Sequence, residues 1–254
     1  MQLIMLGVGS SAGTPVVGCD CATCRSPDAR NNRTRCSSAI VLPGGETILI
    51  DTGPDLRQQA LREGLNRVDA VLYTHTHADH LHGIDDLRAF CQIQRRQIPL
   101  YGNHETMLHI SNKFPYVIRE PGSFWELPVL SINRVSEPFE LFGAKITPIP
   151  VKHGNSDILG YRIGNFAYIT DVSVIPESSL DLLQDLDVLM LDCLRFEPHP
   201  THINLEQSLD YAGLIKARQT YLIHMTHELE FVEASQRLPP MVRLGYDGLR
   251  LGSS

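Results

Sequence analysis

Within a span of six residues, His75, His77, Asp79 and His80 offer three imidazoles and one carboxylate in the pattern His-x-His-x-Asp-His. Imidazole and carboxylate oxygen together suit Zn, Mn or Fe, and the lack of thiolate here argues against a purely structural zinc. A solvated loop with incidental histidines would be an odd accident directly behind the apolar, β-prone run Val71-Leu72-Tyr73. A chemically different set lies nearer the start of the chain, where Cys19, Cys21 and Cys24 form Cys-x-Cys-x-x-Cys. Three thiolates on one short turn can occupy three corners of a tetrahedron, with the fourth ligand supplied from elsewhere. A redox Cys-x-x-Cys is the competing reading, disfavoured by the extra thiol at Cys19 and by the missing helix start. The other three cysteines, Cys36, Cys91 and Cys193, are scattered and read as buried thiols of a reducing compartment.

The elements that must position these groups are short and alternate along the chain. Strands are expected over Gln2–Gly7, Cys36–Leu42, Glu46–Asp51, Val68–Tyr73, Ile98–Tyr101, Asp187–Asp192 and Gln219–Ile223. Helical spacing covers Pro54–Gly64, Gly83–Gln97, a segment from Asn103 to Lys113, Ser178–Gln184 and Leu205–Ala217, with Asn103 and Asn204 as candidate N-caps. Cys91 shares an apolar stripe with Leu87 and Phe90, so it belongs to a core, and His104 and His109 read as surface residues. Between Val129 and Thr170 short β-like runs recur. Four apolar strands deliver a ligand-type residue where they stop: Asp51, His153, Asp171 and His224. Catalytic groups gathered on loops at one edge of a sheet scaffold are the layout of an enzyme. The polar stretch Arg25–Arg35 is expected to cover the surface, and Phe114–Leu127, which holds Trp125, to form a loop that either covers a site or simply packs.

Composition narrows the field. The 254 residues, 43% hydrophobic and 20% charged, suit a single soluble globular unit spanning 1–254, with the cysteine loop 19–24 appended to it. A net charge of −7 argues against gripping a long nucleic acid through phosphate contacts alone. It does not argue against a small anionic substrate, because bound divalent ions reverse the local field. No apolar run approaches the length of a membrane span and no signal peptide opens the chain, so a cytosolic protein is expected.

The motif His75-Thr-His77-Ala-Asp79-His80, followed in order by His153, Asp171 and His224, resembles the metallo-β-lactamase superfamily of dinuclear metallohydrolases. The resemblance implies an α/β fold, a four-layer αβ/βα sandwich with two metals at one edge of its sheets. It also implies that His75, His77 and His153 hold one ion, that Asp79, His80 and His224 hold the other, and that Asp171 bridges them. Asp51 would orient a ligand histidine. The cysteine cluster, with a second histidine three residues beyond His224, is similar to the PhnP family of cyclic phosphodiesterases of phosphonate catabolism. That similarity implies a structural zinc held by Cys19, Cys21, Cys24 and His227, active-site ions that are Mn or Zn, and a homodimer. It further implies hydrolysis of small, including cyclic, phosphodiesters by a hydroxide bridging the two ions, with Asp51, Asp79 and His202 serving catalysis. His202 would protonate the leaving alkoxide, and His199 in the same stretch, Glu197–Leu205, is the runner-up. Three other readings stay open: a tRNA 3′ processing nuclease, a thioesterase or lactonase, and a non-hydrolytic cofactor-biosynthesis protein like PqqB.

Overall fold

The computed structural model describes residues 1–118 and 129–252. The strands are β1 Gln2–Gly7, β2 Ser37–Val41, β3 Thr47–Ile50, β4 Ala70–Leu72, β5 Ile98–Gly102, β6 Leu130–Arg134 and β7 Phe139–Leu141. They continue with β8 Ala144–His153, β9 Ser156–Ile163, β10 Phe166–Ile169, β11 Val188–Asp192, β12 Gln219–Ile223, β13 Val242–Leu244 and β14 Arg250–Gly252. One sheet runs β14-β1-β2-β3-β4-β5-β6 and the other β13-β12-β11-β10-β9-β8-β7, so only the last strand returns to the first sheet. The helices are α1 Leu56–Glu63, α2 Ala78–Leu81, α3 Leu87–Gln94, α4 His104–Lys113, α5 Glu177–Leu180, α6 Leu205–Ile215 and α7 Phe231–Ser235.

Alternation along the strands explains why the apolar runs are continuous. Leu3, Met5, Ile48, Ile50 and Leu72 point into the core shared with the second sheet, which includes Ile149, Tyr161 and Tyr168. Their neighbours Ile4, Leu6, Leu49 and Val71 point the other way, against Leu56, Ala60, Phe90 and Met107 of α1, α3 and α4. A strand with both faces covered has no polar side to show, so its period-2 signature is lost. The result is the expected αβ/βα sandwich. Asn103 caps α4, accepting from the Thr106 N–H at 2.8 Å, and Asn204 closes a reciprocal capping box with Gln207 at α6.

Two expectations need correction. The stretch 25–35 is not simply a surface cover: Arg33 is 1% exposed and Asn31 is 2% exposed. The Arg33 guanidinium donates to the carbonyls of Thr226 and Leu229 and to Asn31 Oδ1. These bonds tie the chain behind the cysteines to the loop after β12, and they satisfy a charge that burial would otherwise penalise. The helix expected from Gly83 begins instead as a 3₁₀ turn, Ile84–Asp86, before α3, and is preceded by the short α2. Residues 119–128, with Trp125 and most of the expected loop 114–127, lie outside the described residues.

Candidate metal centre and active site

Three strands end in residues of left-handed backbone conformation, namely Asp51 after β3 (φ 60°), Asp171 after β10 (φ 54°) and His224 after β12 (φ 60°). Non-glycine residues seldom take this conformation, and here it bends each side chain out of its sheet into one cleft. The loop after β4 enters the same cleft and is held against the β3 turn by Thr52 N–H to His80 O and Gly83 N–H to Thr52 O. A Cβ on Gly53 would overlap the Asp79 carbonyl, and one on Gly83 would overlap that of Gly53. Glycine is therefore needed where these two backbones cross.

The seven expected ligand residues come together as two sets. His75, His77, His153 and Asp171 form one, and Asp79, His80, Asp171 and His224 the other, with the ligand atoms of each set within 4.8 Å of one another. Asp171 belongs to both. Its Oδ2 lies 3.8 Å from His75 Nε2, whereas its Oδ1 lies 3.1 Å from His80 Nε2 and 3.3 Å from His224 Nε2. Asp79 Oδ2 completes the second set at 3.2 Å from His80 Nε2 and 3.5 Å from His224 Nε2. The Nε2 atoms of His75, His80 and His224 are buried without a hydrogen-bond partner. Orphaned ring nitrogens converging on two carboxylates are what divalent cations would satisfy, so the donor set fits a metal pair.

In His75, His80 and His153 the other ring nitrogen is hydrogen-bonded, which fixes the tautomer. Asp51 is fully buried and serves two rings, one in each set. Its Oδ2 accepts from His80 Nδ1 at 2.8 Å and from the Thr74 hydroxyl at 2.8 Å, while Oδ1 accepts from the Thr74 N–H. With its proton committed to Asp51, the Thr74 oxygen faces His75 Nδ1 at 3.0 Å as an acceptor. His153 Nδ1 donates to the Thr201 carbonyl at 2.8 Å. On the far side Asp192 holds His202, its Oδ2 3.2 Å from His202 Nδ1, and its Oδ1 lies at ion-pair distance, 3.4 Å, from His224 Nδ1. Neither Asp192 nor Thr74 was singled out from the sequence. Asp192 carried a usable signal, since Val188-Leu-Met-Leu-Asp192 is another apolar strand ending in a carboxylate. Thr74 carried none.

Charge is distributed to match. Burial would raise the Asp171 carboxyl, but the imidazoles of His224, His80 and His75 outweigh it and hold the group well below its ordinary range. Burial would lower His224, yet Asp171, Asp192 and Asp79 push it up to about 10. His80 rises for the same reason, caught between Asp171 and Asp51 against the opposing effect of burial. His75 and His153 move the other way, because burial disfavours their charged forms. Two rings thus stand neutral while two hold protons that a cation would displace.

His202 reaches in from the loop before α6. Its Nε2 is 4.0 Å from Asp171 Oδ2, and its ring stacks on His224 at 4.9 Å between centroids. His199 stands behind it, 5.2 Å away ring to ring, with Nδ1 facing the Thr201 N–H and hydroxyl.

Three residues beyond His224, His227 Nδ1 lies 3.3 Å from the Sγ of each of Cys19, Cys21 and Cys24. Cys21 accepts from the Cys24 N–H, the chief cause that lowers its thiol to about 6, while burial raises Cys24 to about 11. Three sulfurs and one imidazole nitrogen form a closed donor set of the structural-zinc type. Met225 connects the two centres: its N–H donates to the Val8 carbonyl and its own carbonyl accepts from Ser10, which holds the loop from His224 to His227 in place.

An αβ/βα sandwich with paired histidine–carboxylate sets at one sheet edge defines the metallo-β-lactamase class. Residues 46–225 match the β-lactamase superfamily domain. A crystal structure of a diphosphatase from the PhnP family is 44% identical to this chain, with a TM-score of 0.93 and coverage of 100% of this chain and 98% of that one. The chain belongs to the β-lactamase superfamily and, within it, is PhnP-like. An octanoyltransferase from Porphyromonas gingivalis is 39% identical over 256 residues, which is 98% of this chain and 51% of that protein. Zn²⁺-bound PqqB from Methylobacterium extorquens shares the fold, with a TM-score of 0.81 at 20% identity over the whole of both chains. The chain spans about half the length of the first curated relatives it matches.

Proposed function

We propose that this protein is a metal-dependent phosphodiesterase acting on small diesters, cyclic nucleotide and ribose phosphates among them. The observation that carries the reading is Asp171, whose two oxygens face two separate histidine sets with His202 poised beside them. His75, His77, His153 and Asp171 would hold one divalent ion and Asp79, His80, Asp171 and His224 the other, Zn or Mn by their donors. Bound there, the ions would supply positive charge for the phosphate oxygens and lower the pKa of the attacking water.

The rest of the work falls to the chain. Asp51, through Thr74 and directly, aims one ring of each set. Asp192 holds His202 by Nδ1, leaving Nε2 free to give a proton to the departing alkoxide. Cys19, Cys21, Cys24 and His227 would take a structural zinc that pins the N-terminal loop to the segment carrying His224. A homodimer and a place in phosphonate catabolism are further proposals that rest on the PhnP likeness alone, and a cytosolic location is a proposal that rests on the sequence reading. The test is turnover of bis-p-nitrophenyl phosphate and a 2′,3′-cyclic nucleotide, abolished by chelation and restored by Mn or Zn.

One observation favours a second reading, hydrolysis at an acyl carbonyl. The relative named octanoyltransferase aligns with this chain over only about half its length, so this domain would act beside an acyl-transferring one. Octanoyl thioester hydrolysis, assayed in parallel, separates the two.

A further inference from the structure

Along the β13 edge of the second sheet lies a cavity of about 340 Å³, none of whose lining residues belongs to the histidine sets or the cysteine set. That is the lower end of the range for small-molecule sites. Its walls are largely apolar. Leu238, Leu244 and Leu249 are aliphatic, and Phe231 and Tyr246 meet edge to face with ring centroids 6.1 Å apart. The Arg30 guanidinium lies over the Phe231 ring, 4.1 Å from its centroid, and is itself paired with Asp28 at 2.6 Å.

Two polar groups interrupt these walls, and neither has a partner. Tyr221 in β12 is only 7% exposed, yet its hydroxyl makes no hydrogen bond among the described residues. Such a group is costly unless something satisfies it. Arg243 in β13 makes no ion pair or hydrogen bond among the described residues. The two are register partners in the parallel β12–β13 pair, so they stand on one face of the sheet. Their closeness is felt at the hydroxyl, which burial raises and the Arg243 guanidinium lowers. No Asp or Glu is among the described lining residues.

A guanidinium and a phenol side by side can donate to the two oxygens of one carboxylate. One uncompensated positive charge matches a monoanion, whereas a phosphate monoester brings a second negative charge that nothing here offsets. The ring-lined walls suit a flat apolar body behind that carboxylate, and a rigid body loses less freedom on binding than a flexible chain.

We propose that this cavity binds a small aryl carboxylate, held by Arg243 and Tyr221 at its charged end and by Phe231, Tyr246 and Leu244 at its apolar end. The site needs neither active-site ion, so it does not depend on the phosphodiesterase reading.

Calorimetric titration of the whole protein with 2-naphthoate tests it, with 2-naphthalenemethanol as the neutral counterpart and 2-naphthyl phosphate as the dianion. Wild type is expected to bind naphthoate saturably, about tenfold or more tighter than the alcohol or the phosphate. Arg243→Gln and Tyr221→Phe should each weaken naphthoate by about tenfold while the alcohol binds as before. Without ligand, both variants should melt where wild type does. Absent or unsaturable naphthoate binding, equal affinity for acid and alcohol, or unchanged affinity in either variant overturns the proposal. So does sedimentation showing a wild-type dimer that Arg243→Gln dissociates, because a second copy would then fill the cavity.

Discussion

Replacing Asp51 by Asn separates the charge of this residue from its shape. Asn tolerates the left-handed backbone that Asp51 adopts at φ 60°, so the turn after β3 should survive. The hydrogen bonds cannot. Oδ1 accepts from one N–H, that of Thr74, and Oδ2 accepts from His80 Nδ1 and the Thr74 hydroxyl. Whichever way the new amide is turned, its NH₂ faces a donor in a fully buried site. One lost bond with an unsatisfied donor costs about 1–3 kcal/mol. The loss of charge also removes the carboxylate that fixes His80 directly and His75 through Thr74. Loss of such a partner weakens metal binding by roughly 10–100-fold, and here one ring of each set is affected. Chelator competition should show both active-site ions bound more weakly, and urea unfolding should show the metal-free variant less stable by about that 1–3 kcal/mol. Wild-type metal affinity together with wild-type stability would refute the relay.

Metal uptake should expel protons, because His224, at about 10 in the metal-free protein, and His80, also raised, are protonated near neutrality. The His224 contribution to metal-free stability is complete below its ordinary value of 6.5 and fades as pH rises toward about 10. Calorimetry in buffers of different ionisation heat measures the release, and no buffer dependence would contradict it. His202→Ala should keep its metals yet lose roughly 10²–10⁴-fold in turnover of an alkyl ester, and far less with a p-nitrophenol leaving group; equal losses would remove it as the acid. Cys24→Ser should lose one zinc equivalent and lower the melting temperature while the active-site ions still bind; unchanged zinc content would count against the closed set.

The residues of the candidate site were legible because they obey a local rule. An apolar strand that ends in His or Asp announces itself, and Asp51, His75, His153, Asp171 and His224 all do so. Asp192 follows the same rule but stood at the end of a run that read simply as buried. What sequence could not show is pairing at a distance. Nothing in Thr74 marks it as the link between His75 and Asp51, since the role depends on a bond to a residue 23 positions away. Arg33 misled for a related reason. A run of charged residues is normally solvated, and the carbonyls of Thr226 and Leu229, far along the chain, help to make its burial tolerable. The approach of α4 to the β8–β9 turn was equally hidden, because Asn103 reaches the Asp157 carbonyl only in the folded chain. Fold class, by contrast, followed from the family resemblance that the ligand order carries.

The central claim is that the two histidine sets sharing Asp171 bind ions that cleave phosphodiesters. Titrating Mn or Zn into metal-free protein while recording bis-p-nitrophenyl phosphate turnover tests it directly. Activity should appear with active-site loading and be lost in Asp171→Ala, which removes the carboxylate common to both sets. A fully loaded protein that releases no p-nitrophenolate, or an Asp171→Ala variant that turns over like wild type, would contradict it.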